Sequence, residues 1–362
     1  SGAITVAGLG TIVSTGQNVT LGDSTTANFG SIALDAANIT VNENSATELG
    51  ASTVTGTLGI TSNGAITDSG TLAVTGVTTI SASGQSVTLT NADSTFGDVI
   101  VTAKDVYIVE NAAFTSTSIS AETVQITATE GISITSTGDG LQLAAQSETG
   151  DINVVNTGGL VISELDTLNG IQITNDDAVG KVSLVAKSPL TINAPIDAKA
   201  GEVLLVASGS DATDDVTINS NIIGNSVDVY AGDSVAVIGE AKITSSSFEL
   251  NIGTNYDPVT SSISTGSSSA GLVISNVAGL GQEINIIDYE TGLVLSGKFR
   301  IKEFQSNPHG LPLMDDYFNA LNPVSEQIVN LNSIGLTGSV ESELYNFVDI
   351  DNSGSIEIQK KK

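Results

Sequence analysis

Oxygen-bearing side chains recur near the end of the chain at the spacing of a calcium-binding loop. The segment reads Asp349-Ile350-Asp351-Asn352-Ser353-Gly354-Ser355-Ile356-Glu357. An EF-hand loop places oxygen ligands at alternate positions from its first residue and a glycine at its sixth. Calcium is therefore the one cofactor that the sequence suggests, and its candidate ligands are Asp349, Asp351, Ser353, Ser355 and Glu357.

A β-hairpin is the interpretation that we favour for these residues. The twelfth position of the loop is Lys360, where an EF-hand has a bidentate glutamate. Residues 347–350 and 355–358 both alternate apolar and polar side chains, and Asp351-Asn352-Ser353-Gly354 between them is rich in turn-forming residues. The sequence predicts a hairpin, and a weak calcium site on its turn is the alternative.

Other residues with chemical potential are isolated. His309 is the only histidine, and no Gly-x-Ser-x-Gly motif surrounds a serine nucleophile that it could serve. The segment Lys298-Phe299-Arg300-Ile301-Lys302 places its basic side chains on one face of a predicted strand, where they could bind an acidic glycan. We predict packing or surface roles for these residues and no catalytic residue.

The composition excludes several classes of function. The chain has 362 residues and a net charge of −29, which opposes binding to nucleic acid and to anionic membranes. It has no cysteine, so neither disulfides nor thiolate metal sites are available. Apolar runs such as residues 203–207 are too short to span a bilayer. Only 4% of the residues are aromatic, so small branched side chains must fill the interior.

Short apolar-polar-apolar triplets recur along residues 1–255 at a nearly constant spacing. One series begins at residues 19, 39, 58, 78, 99 and 118; others begin at 87, 106, 124, 152, 171 and 190, and at 141, 161, 182 and 203. A repeat of about 20 residues is typical of a stacked β-solenoid. An antiparallel sandwich is the competing fold, but its strands have no reason to recur so regularly.

In a parallel β-helix, each strand pairs with its equivalent one turn later. The first and third residues of each triplet should point inward, for example Val106 and Ile108 around Tyr107. About twelve turns would make a rod on the order of 60 Å long. The longer step between the triplets at 190 and 216 predicts a loop at residues 208–215, whose carboxylates we interpret as solvated rather than calcium-binding.

The predicted domain organisation has three parts. Residues 1–255 form the parallel β-helix, residues 256–283 are a Ser/Gly-rich linker or a degenerate turn, and residues 284–362 are a small mixed α+β cap or attachment module. The last part contains seven of the fourteen aromatic residues and, within residues 314–329, a pattern that predicts two short helices.

The repeats at residues 76–91 and 96–103 resemble those of filamentous-haemagglutinin-type bacterial exoproteins, β-strand-repeat adhesins, and the resemblance covers roughly residues 1–250. It implies a right-handed parallel β-helix, secretion to the bacterial cell surface, and adhesion or matrix building. Because residue 1 falls inside the repeat pattern, we expect this chain to be part of a longer one.

Two functions of different classes follow. The first is an extracellular structural or adhesive protein, not an enzyme, that forms a rigid rod or a head-to-tail fibre for surface attachment or extracellular matrix. Its expected partners are further copies of itself, a glycan or a cell-surface receptor. The alternative is a β-helix enzyme that degrades polysaccharides, which would need clustered carboxylates with basic or aromatic side chains on one face.

Overall fold

Parallel β-strands dominate the fold. The computed structural model describes residues 4–22, 27–209, 213–237, 241, 243–245, 247–252, 254–257, 259–260, 262–265, 272–274, 283–288, 293–298, 345–350 and 356–360. The element order contains only strands within these ranges. No helix long and apolar enough to cross a bilayer occurs in this part of the chain.

The strands fall into two compact units. Unit 1 comprises residues 1–158 and 163–180, and unit 2 comprises residues 159–162 and 181–362. The strands of unit 1 are β1 (Ile4–Leu21), β2 (Ala27–Glu43), β3 (Thr47–Leu49), β4 (Ser52–Val54), β5 (Leu58–Ser62), β6 (Ile66–Asp68), β7 (Leu72–Val74), β8 (Thr78–Leu89), β9 (Asp98–Glu110), β10 (Phe114–Ser120), β11 (Thr123–Ala128), β12 (Ile132–Ser136), β13 (Leu141–Ser147), β14 (Ile152–Asn156), β16 (Glu164–Leu165), β17 (Leu168–Asn169) and β18 (Ile171–Ile173).

Unit 2 is built in the same way. Its strands are β15 (Leu160–Ile162), β19 (Val182–Ala186), β20 (Leu190–Ile192), β21 (Ile196–Asp197), β22 (Glu202–Ala207), β23 (Val216–Ile218), β24 (Ile222–Ile223), β25 (Ser226–Ala231), β26 (Val235–Val237), β27 (Ile243–Thr244), β28 (Ser247–Ile252), β29 (Thr254–Asp257), β30 (Ser262–Thr265), β31 (Leu272–Ile274), β32 (Glu283–Asp288), β33 (Leu293–Lys298), β34 (Tyr345–Ile350) and β35 (Ile356–Lys360).

Each complete turn contributes up to three strands. In unit 1, the turn that starts at Leu58 contains β5, β6 and β7; β5 and β6 pair in parallel with successive parts of β8, and β7 is bridged to Thr95. In unit 2, β20, β21 and β22 pair in parallel with β23, β24 and β25, which pair in turn with β26, β27 and β28. The predicted parallel β-solenoid of about 20 residues per turn is confirmed.

The interior consists of stacked branched side chains. Val106 pairs with Val124, which pairs with Leu143, and all three side chains are at most 1% exposed. The outward-facing Tyr107 between Val106 and Ile108 is half-buried. The burial of Val106 and Ile108, and likewise of Ile152 and Val154, confirms the predicted inward positions.

Two of the predicted triplets have the wrong phase. At residue 118 the middle residue, Ile119, is buried and its neighbours Ser118 and Ser120 are not. The cause is a bulge: between the pairs Thr115–Asp98 and Ser118–Ile100, two residues of β10 oppose the single residue Val99 of β9. At residue 161 the inward positions are Leu160 and Ile162, because a run of three apolar residues carries no alternation that could set the phase.

The parallel ladder reaches beyond residue 255. β26 pairs in parallel with β31, and β28 pairs in parallel with β32. Between them, β29 and β30 form an antiparallel hairpin. The boundaries predicted at residues 255 and 283 stay predictions, and the two helices predicted within residues 314–329 lie outside the described residues.

Stacking predicts that removal of an inward side chain is costly. Ile126 is fully buried between Ile108 and Ala145, so Ile126→Ala should lower the free energy of unfolding by about 3 kcal/mol. The control is Gln142→Ala, on the exposed face of β13, which should change it by less than about 0.5 kcal/mol. Urea unfolding followed by circular dichroism measures both. Equal effects of the two substitutions would contradict the inward assignment.

Candidate functional site

Two turns of unit 1 are closed by the same set of contacts. In the first, the Phe29 N–H donates to Glu43 Oε1 at 2.8 Å. In the second, the Phe96 N–H donates to Glu110 Oε1 at 2.9 Å. Each glutamate lies at the end of a strand, and its carboxylate reaches across the turn to the backbone at the turn's start. We call these two contacts the carboxylate braces.

Backbone geometry explains the residue types around each brace. The residue after each glutamate closes the turn: the Asn44 N–H donates to the Ala27 carbonyl at 3.1 Å, and the Asn111 N–H donates to the Ser94 carbonyl at 2.8 Å. A glycine follows each phenylalanine, because a Cβ there would collide with a backbone carbonyl of the preceding turn. Each brace therefore needs the pattern Phe-Gly, twelve residues, then Glu-Asn.

The sequence contains this pattern twice, at an offset of 67 residues. Phe29-Gly30 and Glu43-Asn44 in the first copy correspond to Phe96-Gly97 and Glu110-Asn111 in the second. We did not single out either glutamate from the sequence, because one more acidic residue in a chain with 40 of them resembles a surface charge. A comparison of the chain with itself at this offset would have found both.

Both glutamates are buried with an incomplete set of partners. Glu43 is 3% exposed and Glu110 is 1% exposed. Oε2 of each carboxylate has no hydrogen-bond partner among the described residues. Burial raises the pKa of Glu110 to about 7, and the Phe96 N–H opposes the shift only in part. Burial also raises the pKa of Glu43, against hydrogen bonds from the Phe29 N–H and the Ser45 hydroxyl.

A groove of about 400 Å³ lies beside Glu110. Its wall includes outward residues of three adjacent strands, Val109, Thr127 and Gln146, which pair in register. Glu148, which is exposed, lies in the turn after β13 and lines the same groove. The groove thus presents neutral hydrogen-bonding side chains and the exposed carboxyl group of Glu148, whereas Oε2 of Glu110 is buried.

Hairpins cover the outer faces of both units. In unit 1, β16 and β17 pack on β13, and the Gln125 amide donates to the Thr167 hydroxyl at 3.2 Å. In unit 2, Tyr256 of β29 stacks on Tyr230 with ring centroids 4.4 Å apart. These tyrosines pack over the outward side chains Val185, Leu204 and Val206, which are buried as a result. The hairpins stabilise the solenoid by covering apolar surface.

Of the acidic loop predicted at residues 208–215, residues 210–212 lie outside the described residues, and Asp214 differs from its predicted solvated state. Asp214 is only 3% exposed, and its carboxylate packs against Gly209. Burial raises the pKa of Asp215, although the Ser234 N–H donates to it at 2.9 Å, and the nearby charges of Asp233 and Asp214 raise it further. For Asp214 the solvated assignment is wrong, because this residue lies against the next turn, whose Asp233 N–H donates to the Asp214 carbonyl.

The predicted calcium ligands lie on and between two strands. β34 carries Asp349 and β35 carries Glu357, and these strands are antiparallel, with Phe347 opposite Ile358, as the hairpin interpretation predicts. Asp351, Ser353 and Ser355 lie outside the described residues, as does His309. Of the basic strand at residues 298–302, only Lys298 is described, opposite Glu283 on β32. The calcium site stays a prediction.

The described ranges show no cluster of metal-binding side chains. They contain no group of three or more His, Cys, Asp or Glu side chains placed to hold a metal ion.

In unit 2, burial raises the pKa of Asp228, and the charges of Glu249 and Glu202 add to this effect while Lys181 opposes it. Asp228 pairs directly with Glu249 on β28, whereas Glu202 on β22 pairs with Ser226, two residues before Asp228.

Comparison with known proteins identifies one similarity. The model of a family described as repeats of unknown function (DUF5649) matches residues 36–103. The matched segment runs from Ala36 to Ala103, which are equivalent positions in the two braced turns. The chain is thus similar to a class of repeat β-strand proteins. Searches of curated proteins and of solved structures find no match.

The buried brace predicts a pH dependence of stability. An ordinary glutamate titrates near 4.5, so the folded protein binds the Glu110 proton more tightly than the unfolded chain does. The stability that Glu110 contributes is complete below pH 4.5, is lost as the pH rises toward 7, and stays lost above 7. Glu110→Gln keeps an acceptor for Phe96 and removes the titration. Relative to wild type, it should gain on the order of 3 kcal/mol between pH 4.5 and 8.

Urea unfolding of the two proteins at several pH values measures this difference. The subtraction isolates Glu110 from other carboxyl groups with raised pKa values, such as Asp215 and Asp228. Glu130→Gln, at an exposed position in the turn after β11, is the control and should track wild type. A pH-independent difference between Glu110→Gln and wild type would contradict the burial of the charge.

Proposed function

We propose that the chain is an extracellular structural or adhesive protein of a bacterial cell surface, in which the solenoid serves as a rigid rod. The observation that carries the proposal is the stacking of inward side chains in register. Leu190, Val216 and Val235 occupy one inward column of unit 2, and all are fully buried. Such columns, held by parallel backbone hydrogen bonds, make a stiff element that gains length with each turn.

The surface chemistry supports the same proposal. A net charge of −29 keeps a long repeat protein soluble and opposes side-by-side association of like-charged surfaces. Asn and Thr side chains bond between turns, for example Asn38 to Asn18 at 2.8 Å and Asn219 to Asn193 at 2.8 Å. These side-chain hydrogen bonds tie successive turns together.

Self-association and attachment are parts of this proposal. The backbone edges at the ends of a parallel ladder can pair with further strands, so copies of the chain would join head to tail into a fibre. A glycan or a cell-surface receptor would be the target of an adhesive role. The resemblance to filamentous-haemagglutinin-type exoproteins supports secretion, and the hairpin at residues 345–360 remains a candidate calcium site.

Negative-stain electron microscopy of the purified chain tests the proposal. Elongated particles of constant width are expected. The length of each particle should correspond to about 4.8 Å for every turn of the solenoid. Sedimentation velocity over a range of concentrations tests the fibre, for which the sedimentation coefficient should rise with concentration. Round particles would refute the rod, and a concentration-independent monomer would refute the fibre. Release of reducing ends from acidic polysaccharides would favour the enzymatic alternative instead.

A further inference from the structure

One sheet of unit 1 has an outer face made largely of neutral side chains that carry hydroxyl groups. The face spans parts of β1, β2, β5, β8, β9 and β10, which pair in parallel in this order. Its outward residues form two rows, separated by inward residues. The first row is Thr20, Thr40, Gly59, Thr79, Ile100 and Ser118, and the second is Asn42, Thr61, Ser81, Thr102 and Ser120. We call these eleven residues the hydroxyl face.

The composition of the hydroxyl face limits the chemistry of a partner. None of its residues is charged, although the chain has a net charge of −29, and eight of the eleven are Thr or Ser. An uncharged surface gains nothing from an ionic partner. None of the eleven residues is aromatic, so the face offers no ring on which a sugar could stack. A partner that recognises it must therefore be neutral and rich in hydrogen-bonding groups.

The threonine hydroxyl groups of this face are free to bind such a partner. The exposed threonines in its interior are Thr40, Thr61, Thr79 and Thr102. Their hydroxyl groups form no hydrogen bond with any other described residue. On the two sides of the face, by contrast, asparagine side chains bond between turns: Asn38 donates to Asn18 at 2.8 Å, and Asn63 donates to Asn44 at 2.8 Å. These bonds hold the margins of the face while its centre stays available.

The register of the strands places the free hydroxyl groups at constant intervals. Neighbouring strands lie about 4.8 Å apart, and successive outward residues of one strand lie about 6.6 Å apart. The register shift between β1 and β2 lies before Asn18, and the shift between β8 and β9 lies after Ala82, so neither interrupts the face. An array with two constant intervals matches a crystalline surface better than a flexible chain. Water molecules at the surface of ice are neutral, donate and accept hydrogen bonds, and repeat over distances of this size.

We propose that the hydroxyl face binds ice. Each threonine offers a hydroxyl group that donates and accepts hydrogen bonds, beside a methyl group that restricts the orientation of adjacent water. Water held by the array would already have the repeat of a crystal surface, so its transfer to ice costs little further entropy. A crystalline polysaccharide is the competing neutral partner, and the lack of aromatic residues on the face disfavours it.

Thermal hysteresis of single ice crystals in solutions of the whole chain tests the proposal. The wild type should keep a crystal from growing over a measurable interval below the melting point, and should inhibit ice recrystallisation. Thr61→Lys places an ammonium group on the face and should abolish the hysteresis, because the charge keeps its own hydration shell. Thr40→Lys should have the same effect from the neighbouring strand. Circular dichroism confirms that each variant is folded.

The matched control is Thr67→Lys. Thr67 belongs to the same turn as Thr61 and is likewise exposed, but it lies on β6, opposite Glu48. Its substitution adds the same charge outside the hydroxyl face and should leave the hysteresis unchanged. Absence of hysteresis in the wild type, or equal losses in Thr61→Lys and Thr67→Lys, would overturn the proposal. Binding to crystalline cellulose or chitin without any effect on ice would also overturn it and would assign the face to a polysaccharide.

This inference does not depend on the proposed structural role. Rods in electron micrographs together with no thermal hysteresis would leave that role intact and remove the ice-binding face. Thermal hysteresis caused by round particles would do the opposite.

Discussion

Parallel stacking in register is the constraint on which the rest of this structure depends. Each inward side chain must pack against the equivalent side chain of the next turn. The residue type at an inward position is therefore constrained more by the residue 18 to 26 positions away than by its neighbours in sequence. Val, Ile and Leu fill these columns because their branched side chains pack densely in a narrow interior. The same constraint explains why a solenoid can be built with 4% aromatic residues.

The constraint also determines what the sequence could reveal. Alternation within the triplets, as in Val106-Tyr107-Ile108, predicts which side chains face inward, because each strand places alternate residues on opposite faces. A β-bulge interrupts this alternation. One extra residue before Ser118 reverses which of the next three side chains face inward, and no residue type near the bulge predicts it. The run Leu160-Val161-Ile162 lacks alternation altogether, so only the tertiary packing fixes its phase.

The additions to the solenoid were harder to predict than the solenoid itself. The hairpin β16–β17 lies between two triplets that both keep the expected spacing, so the periodic pattern conceals it. The outward side chains Leu204 and Val206 form part of a continuous apolar run. Such a run indicates that another segment packs on the outer face of the strand, but it does not indicate which segment. The acidic loop illustrates the same limit, since burial of Asp214 depends on a neighbouring turn.

The carboxylate braces connect the stacking to chemistry. A closed turn needs an acceptor for the phenylalanine N–H, and a glutamate reaches across the interior to supply one, which leaves its second oxygen buried. Burial of that carboxyl favours its protonated form and makes the contribution of Glu110 to stability depend on pH. The pattern was present in the sequence as Phe-Gly and Glu-Asn at a fixed spacing, but only the fold shows why these residues belong together.

The most direct test of this account is the titration of the glutamate carboxyl carbons by ¹³C NMR, with Glu43→Gln and Glu110→Gln used to assign the two signals. The account predicts that Glu110 titrates near pH 7 and that Glu43 titrates above the range of exposed glutamates. Titration of both groups near 4.5 would contradict the buried braces and, with them, the closure of the two turns that they hold.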